Sequence, residues 1–272
     1  MNAADLVTDL AAKANLSAVI FTVALLMCRV MPVLIFSPFL GGEVVPNELK
    51  MGVGLTLSIV LFPVIEGSVK TIPLSALPYI ALMAKEVFIG FSLAFIVNTV
   101  FEAARVAGTL VDTMAGSNNA QLFVPQLGQQ VSLFSNLKVQ LAVVLFLTLD
   151  GHHLVIQALA DSLVFVPLDA FPRFSHGPWP YFDLLIRVFA DLLRVSLALA
   201  APAMLATLLT DVALGAINRV APQIQVFFIS MAIKPLVSVL MAFLVLSALL
   251  TRMQDEMKGM LVMLKNVLWL LT

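Results

Sequence analysis

The stretch Gly108–Gln130 reads GTLVDTMAGSNNAQLFVPQLGQQ and lies between two very apolar halves. It holds six carboxamides, Asn118, Asn119, Gln121, Gln126, Gln129 and Gln130, and a single charge, Asp112. Gly116, Pro125 and Gly128 argue against one uninterrupted helix here. Lipid cannot satisfy so many polar groups, so non-helical chain at membrane depth must face protein or water. Two readings stand at this point. The stretch lines or closes a passage held in place by the hydrophobic segments, or it is an ordinary polar loop outside the bilayer.

Composition bounds the surroundings. The chain has 272 residues, 61% of them hydrophobic and 11% charged, with a mean hydropathy of +1.05. Soluble domains are about 45–50% apolar and about 25% charged. The chain is therefore an integral membrane protein or a subunit buried in a membrane-associated assembly. Its net charge of -1 and scattered Arg and Lys offer no broad basic surface for nucleic acid. Cys28, the only cysteine, excludes an intrachain disulfide and a cysteine-based metal cluster. Asp5 and Asp9 precede the first apolar run, and no basic region with a cleavage site does. That run is expected to be retained.

Toward the N-terminus, residues 79–105 are long enough to span but contain Lys85, Glu86, Glu102 and Arg105. Neighbours in sequence do not share a helix face, so separate partners are expected for Lys85 and Glu86 rather than a mutual salt bridge. Residues 51–65 are short against the roughly 20 residues of a spanning helix. Residues 16–40 form a long apolar run containing Arg29, Pro32 and Pro38. A charge so deep in apolar sequence calls for a buried contact; the alternative is snorkelling toward an interface. Residues 1–13 fit a short amphipathic helix.

Toward the C-terminus, residues 137–168 read as a helical hairpin turning at Asp150-Gly151-His152-His153. Adjacent histidines point to different sides of a helix, so a polar turn is the better account and no metal is expected. Trp179 and Tyr181 follow a Pro/aromatic loop and suit a water–lipid boundary. Asp183, Arg187, Asp191 and Arg194, spaced four, four and three apart, form a stripe of alternating charge on a helix. Residues 226–250 are the last long apolar run and carry Lys234 and Pro235. Residues 253–272 form an amphipathic helix suited to lying along a surface.

No phosphate-binding glycine loop, GxGxxG, HExxH or GxSxG occurs, and an enzyme is not expected. A secondary transporter or channel is the rival class. Broken helices and intramembrane charges such as Arg29, Glu86 and Lys234 are what its solute sites use.

Leu214–Phe227, LGAINRVAPQIQVF, resembles the G-x-x-x-R-x-A-P-Q-x-N-x-F signature of the FliR/SctT family. These are export-gate subunits of the bacterial flagellum and of the type III secretion injectisome. Lys85-Glu86 with Gly90 resembles the family's K-E-x-x-x-G segment. Arg29 with Pro32 fits its first helix, and Asp150-Gly151-His152 fits its hairpin turn. The chain departs from the family at Val124-Pro125, where members carry Asp-Pro, and at Gln225, where they carry Asn.

The resemblance implies an all-α membrane-associated protein of broken hydrophobic helices and hairpins packed in a heteromeric assembly, with no cofactor. One export-gate domain would cover 1–272: N-terminal helices 1–105, a central plug-like loop 106–136, the hairpin 137–168, hydrophobic helices 182–250 and an amphipathic tail 251–272. One copy would join FliP/SctR-type and FliQ/SctS-type subunits and an FlhB/SctU-type subunit, with lipid around them, in the basal body at the bacterial inner membrane. Unfolded exported proteins would pass through. Met114, Asn118, Asn119, Gln121, Leu122, Phe123, Val124, Pro125 and Gly128 would plug the closed channel. Arg29, Lys85, Glu86, Gly90, Asp150, Gly151, His152, Arg219, Ala221, Pro222, Gln223 and Phe227 would serve subunit packing. The Phe-Leu-Gly-Gly connection at 39–42 and the amphipathic tail lean toward the injectisome.

Overall fold

The computed structural model describes residues 3–40, 45–65, 75–116, 122–124, 129–174 and 177–271, with side chains from residue 18 onward except at Leu40 and in 117–131. The fold is helical. Its elements are α1 (Ala3–Phe36), α2 (Asn47–Leu61), α3 (Ala76–Ala115), β1 (Leu122–Val124), β2 (Gln129–Val131), α4 (Leu133–Thr148), α5 (Gly151–Phe165), α6 (Trp179–Val220), α7 (Val226–Leu244) and α8 (Leu246–Leu270). The strands form one antiparallel ribbon pairing Leu122 with Val131, Phe123 with Gln130 and Val124 with Gln129.

Prolines and glycines set several boundaries. α1 stops just before Pro38, and α2 starts directly after Pro46; the residue before a proline is pushed out of helical geometry. α3 ends because Gly116 adopts φ 71°, the left-handed cap for which glycine carries no Cβ penalty. Residues 1–13 do not form a separate short helix, since α1 is continuous from Ala3. The last apolar run, by contrast, is divided at Val245, where neither glycine nor proline marks the break.

Five helical segments among the described residues are long and apolar enough to cross a membrane, or six with α4 and α5 taken as one broken span. α2 reaches this length because helical chain continues to Ile65. α3, with 40 residues, and α6, with 42, exceed a simple span. At 1.5 Å rise per residue each is roughly 60 Å long, about twice a bilayer's hydrocarbon core.

The chain divides into two compact units. The first comprises residues 1–97, 152–185 and 261–272. Leu25, Leu26, Ile89, Leu93, Ile96 and Leu168 are its fully buried centre. The second comprises residues 98–151 and 186–260. Phe101 and Phe146 meet edge to face in its core, their ring centroids 5.3 Å apart.

The C-terminal helix corrects one expectation. Rather than turning its apolar stripe to an outside surface, α8 buries Met253, Met257 and Met260 in the second unit, and Leu264, Val267 and Leu268 in the first. The 3–4-residue spacing of these side chains is the amphipathic pattern seen in the sequence, satisfied by the chain itself. α7 is the opposite case. Among its residues only Ser238 is buried, while Leu236 and Phe243 are more than 70% exposed.

Candidate functional site: a buried clamp and the base of the central segment

In the first unit Arg29, 1% exposed, is held by three parts of the chain. Its Nε donates to Glu86 Oε2, and its Nη2 donates to Glu86 Oε1 at 3.0 Å and to the Val166 carbonyl at 2.9 Å. Nη1 donates to the Ser162 carbonyl at 2.7 Å and to Ser162 Oγ at 3.2 Å. Guanidinium has five N–H donors, and these contacts use all of them. The accepting carbonyls lie in and just beyond the last turn of α5, where a cation is favoured; the Ser162 oxygen also accepts the Val166 N–H at 3.0 Å, so Arg29 adds a second donor to it. Arg29 thus caps α5 while pairing with α3, which is the buried contact its sequence position calls for.

Lys85 and Glu86 depart from expectation. Lys85 Nζ lies 2.6 Å from Glu86 Oε1, so the two do form a mutual ion pair. The spacing rule describes solvated helix faces; here both residues are buried and the lysine tip folds back. Lys85 also has the separate partners predicted for it, donating to the carbonyls of Pro167 at 2.9 Å, Leu168 at 3.1 Å and Ala170 at 2.9 Å. Gly90, one turn beyond Glu86, makes the approach possible. A Cβ there would collide with the Arg29 carbonyl oxygen and come within 2.9 Å of its carbon.

The second unit repeats this design at the base of the central segment. Asp112 is fully buried and accepts the backbone N–H groups of Phe134 at 3.3 Å and Ser135 at 3.1 Å. These are orphan donors in the first turn of α4, and the N-cap residue Ser132 makes no side-chain cap. Gly108, one turn before Asp112, permits the contact, because a Cβ would strike Ser135 Cα. Ser135 Oγ donates to the Arg105 carbonyl at 3.1 Å. Lys138 Nζ donates to the carbonyls of Ala107 at 3.3 Å and Leu199 at 3.2 Å. The one charge in the central stretch therefore pins the end of α3 to the start of α4.

The remaining expected site residues fall as follows. Met114 sits half-buried in the last turn of α3, and Leu122, Phe123 and Val124 make β1. Asn118, Asn119, Gln121, Pro125 and Gly128 lie outside the described residues. The first ten residues of the expected 106–136 loop are helix, and α4 begins at Leu133. Asp150 takes φ 55° at the expected turn, and Gly151 packs against the Phe146 ring. The His152 and His153 rings lie 4.2 Å apart rather than on opposite sides of the helix. Arg219, Pro222, Gln223 and Phe227 are all exposed at the α6–α7 turn, and Ala221 is half-buried there. Sequence reasoning passed over Ser135, Lys138 and Gly108 as participants; Lys138, a cation within an apolar helix, was the available signal.

The three charges that suggested a solute site are engaged internally. Arg29 and Glu86 pair with each other, and Lys234 lies 2.5 Å from Asp211. Internal polar clamps, several apolar helices and wide uncovered apolar faces define a multi-pass membrane protein. Residues 20–260 match the family of Bacterial export proteins, family 1. The chain belongs to that family, the FliR/SctT family of type III secretion systems.

Two groups of relatives are similar to it. The flagellar biosynthetic protein FliR of Pectobacterium carotovorum subsp. carotovorum is 30% identical over 205 residues, 75% of this chain and 76% of that one. The Yop proteins translocation protein T of Yersinia pestis is 26% identical over 249 residues, 91% of this chain and 93% of that one. The secretion system apparatus protein SsaT of Salmonella typhimurium is 31% identical over 162 residues, 60% and 61% of the two chains. The chain is a component of a bacterial flagellar or type III export apparatus.

Proposed function

We propose that this chain is a core subunit of the type III export gate, and that residues 114–128 form its closing constriction. One copy packs with FliP/SctR-type and FliQ/SctS-type subunits, beside an FlhB/SctU-type subunit, at the inner membrane. Unfolded proteins cross when the constriction yields. The work is passage and closure rather than chemistry. The observation that carries this reading is the Asp112 cap, which fixes both ends of the segment to rigid helices while the ribbon between them carries Leu122, Phe123 and Val124.

The saturation of Arg29 by protein acceptors weighs against a solute carrier. The exposed motif at Arg219–Gln223 supports subunit packing, because residues uncovered in the single chain are free to meet a neighbour. The internal packing of α8 removes the tail as a reason to prefer the injectisome, and Gly41 and Gly42 of the 39–42 connection lie outside the described residues. The proposal is therefore to the export gate common to both systems.

The test has two stages. Native mass spectrometry of the chain, produced with the membrane proteins encoded beside it, is expected to give one copy with several copies of two small partners. Deleting Asn118–Pro125 is then expected to raise ion conductance through a complex of unchanged composition. Unchanged conductance in a verified complex would overturn the constriction, and a stable partner-free monomer or dimer would overturn the gate.

A further inference from the structure

At the base of the central segment, Asp112 and Ser135 tie α3 to α4 through their hydrogen bonds. Lys138 reaches further. One turn past Ser135 and 7% exposed, it donates to the Ala107 carbonyl of α3 and also to the Leu199 carbonyl of α6. All these residues belong to the second unit. Leu199 stands three positions before Pro202, the proline inside α6. Pro202 has no N–H to give the Ala198 carbonyl, so the backbone ladder is thinned in the turn that Lys138 holds. Such a turn is where a long helix bends most easily. Leu199, Ala200 and Ala203 are buried along this stretch, whereas Leu197 and Leu205 are more than half exposed. The weakest turn of α6 is therefore fastened on its inner side by an ammonium group.

We infer that Lys138 is a positioning residue for closure, coupling the bend of α6 at Pro202 to the base of the closing segment. The inference rests on the reading of residues 114–128 as the constriction. Packing alone does not account for a lysine here. Burying a cation costs desolvation, and an apolar side chain of similar volume is often at least as stable. What the ammonium adds is a direct link from the Leu199 carbonyl through α4 to the Ala107 carbonyl, one residue before the Gly108 contact point. Bending α6 at Pro202 withdraws the Leu199 carbonyl from that link. The base is then held by Asp112 and Ser135 alone, and the segment yields more readily.

Ion conductance through the full complex, with its subunit composition checked for every variant, tests this. Lys138→Met keeps the side-chain volume and is expected to raise the resting leak about tenfold, the shift that losing a hydrogen bond to a charged group gives a two-state equilibrium. Lys138→Arg, which keeps the donors, is expected to recover most of the closure. Pro202→Ala restores the missing backbone bond and stiffens the turn, so its leak is expected at or below the wild-type level and its export of a substrate slower. In the double variant the bend no longer reaches the base, and the leak is expected to equal that of Lys138→Met alone. Wild-type leak in an intact Lys138→Met complex would overturn the proposal, and so would independent, multiplying effects in the double variant. If Lys138→Met yields no complex, Pro202→Ala decides: unchanged export would overturn the coupling. Deletion of Asn118–Pro125 runs alongside as the control. No leak from that deletion would overturn the constriction reading itself, whereas a leak there without one in Lys138→Met would remove only the role of Lys138.

Discussion

Asp112 accepts the backbone N–H of Ser135 at 3.1 Å, across 23 positions of sequence, and so closes the base of the central segment. Removing that carboxylate should free the segment without unfolding the chain. Asp112→Ala is expected to cost about 1–2 kcal/mol, the range for a lost helix cap. Limited proteolysis should become faster between residues 116 and 132, while Asp112→Asn, which keeps one acceptor, should fall between. Cleavage at the wild-type rate in Asp112→Ala would show that the cap does not restrain the segment.

The Arg29–Glu86 pair offers a sharper energetic test. Breaking a buried pair from one side leaves an uncompensated charge and costs about 3–5 kcal/mol. Arg29→Met is expected to lose that much in detergent thermal or denaturant unfolding. Arg29→Lys should also be impaired, since an ammonium cannot reproduce the forked contact. Pairing Arg29→Met with Glu86→Leu should recover part of the loss, as measured by a double-mutant cycle.

Gly90 predicts a steric effect with an internal control. Gly90→Ala drives a methyl group into the Arg29 backbone and is expected to cost about 1–3 kcal/mol. Gly259, where a Cβ meets nothing within 4 Å, should behave oppositely. Gly259→Ala is expected to be neutral or to stabilise by about 0.5–1 kcal/mol through helix propensity. Equal unfolding midpoints for the two variants would remove the close-approach account.

Exposed motif residues should separate stability from assembly. Phe227 is 69% exposed, and Arg219 is exposed at the same turn. Arg219→Ala and Phe227→Ala should change the isolated chain by no more than about 0.5 kcal/mol. Both should reduce co-purification with neighbouring membrane subunits. A stability loss equal to the assembly loss would mean the turn acts within the chain.

The sequence made the helical, membrane-type architecture readable through its long apolar runs, and it made Arg29 readable as a buried contact through the apolar residues around it. It could not disclose the identity of the clamp. The carbonyls that hold Arg29 belong to α5, and main-chain acceptors leave no trace in side-chain type. Asp112 stood out as a lone charge, but its partners are backbone amides on the far side of the central segment. Gly108 looked like part of a helix-breaking stretch and is instead a contact point inside α3. The mistaken exclusion of a Lys85–Glu86 pair came from applying a surface rule to a buried site. The tail's stripe was correctly read as amphipathic, but periodicity does not say whether the apolar side meets lipid or protein.

The clamp also orders the events of biosynthesis. Arg29 emerges from the ribosome 57 residues before Glu86 and 133 residues before Ser162. A lone guanidinium in an apolar helix is costly in a bilayer until it finds counter-charge and acceptors. During translation that cost is relieved in two instalments, first by α3 and then by the closing turn of α5. Chains interrupted before residue 166 carry an incompletely compensated arginine in their first hydrophobic helix.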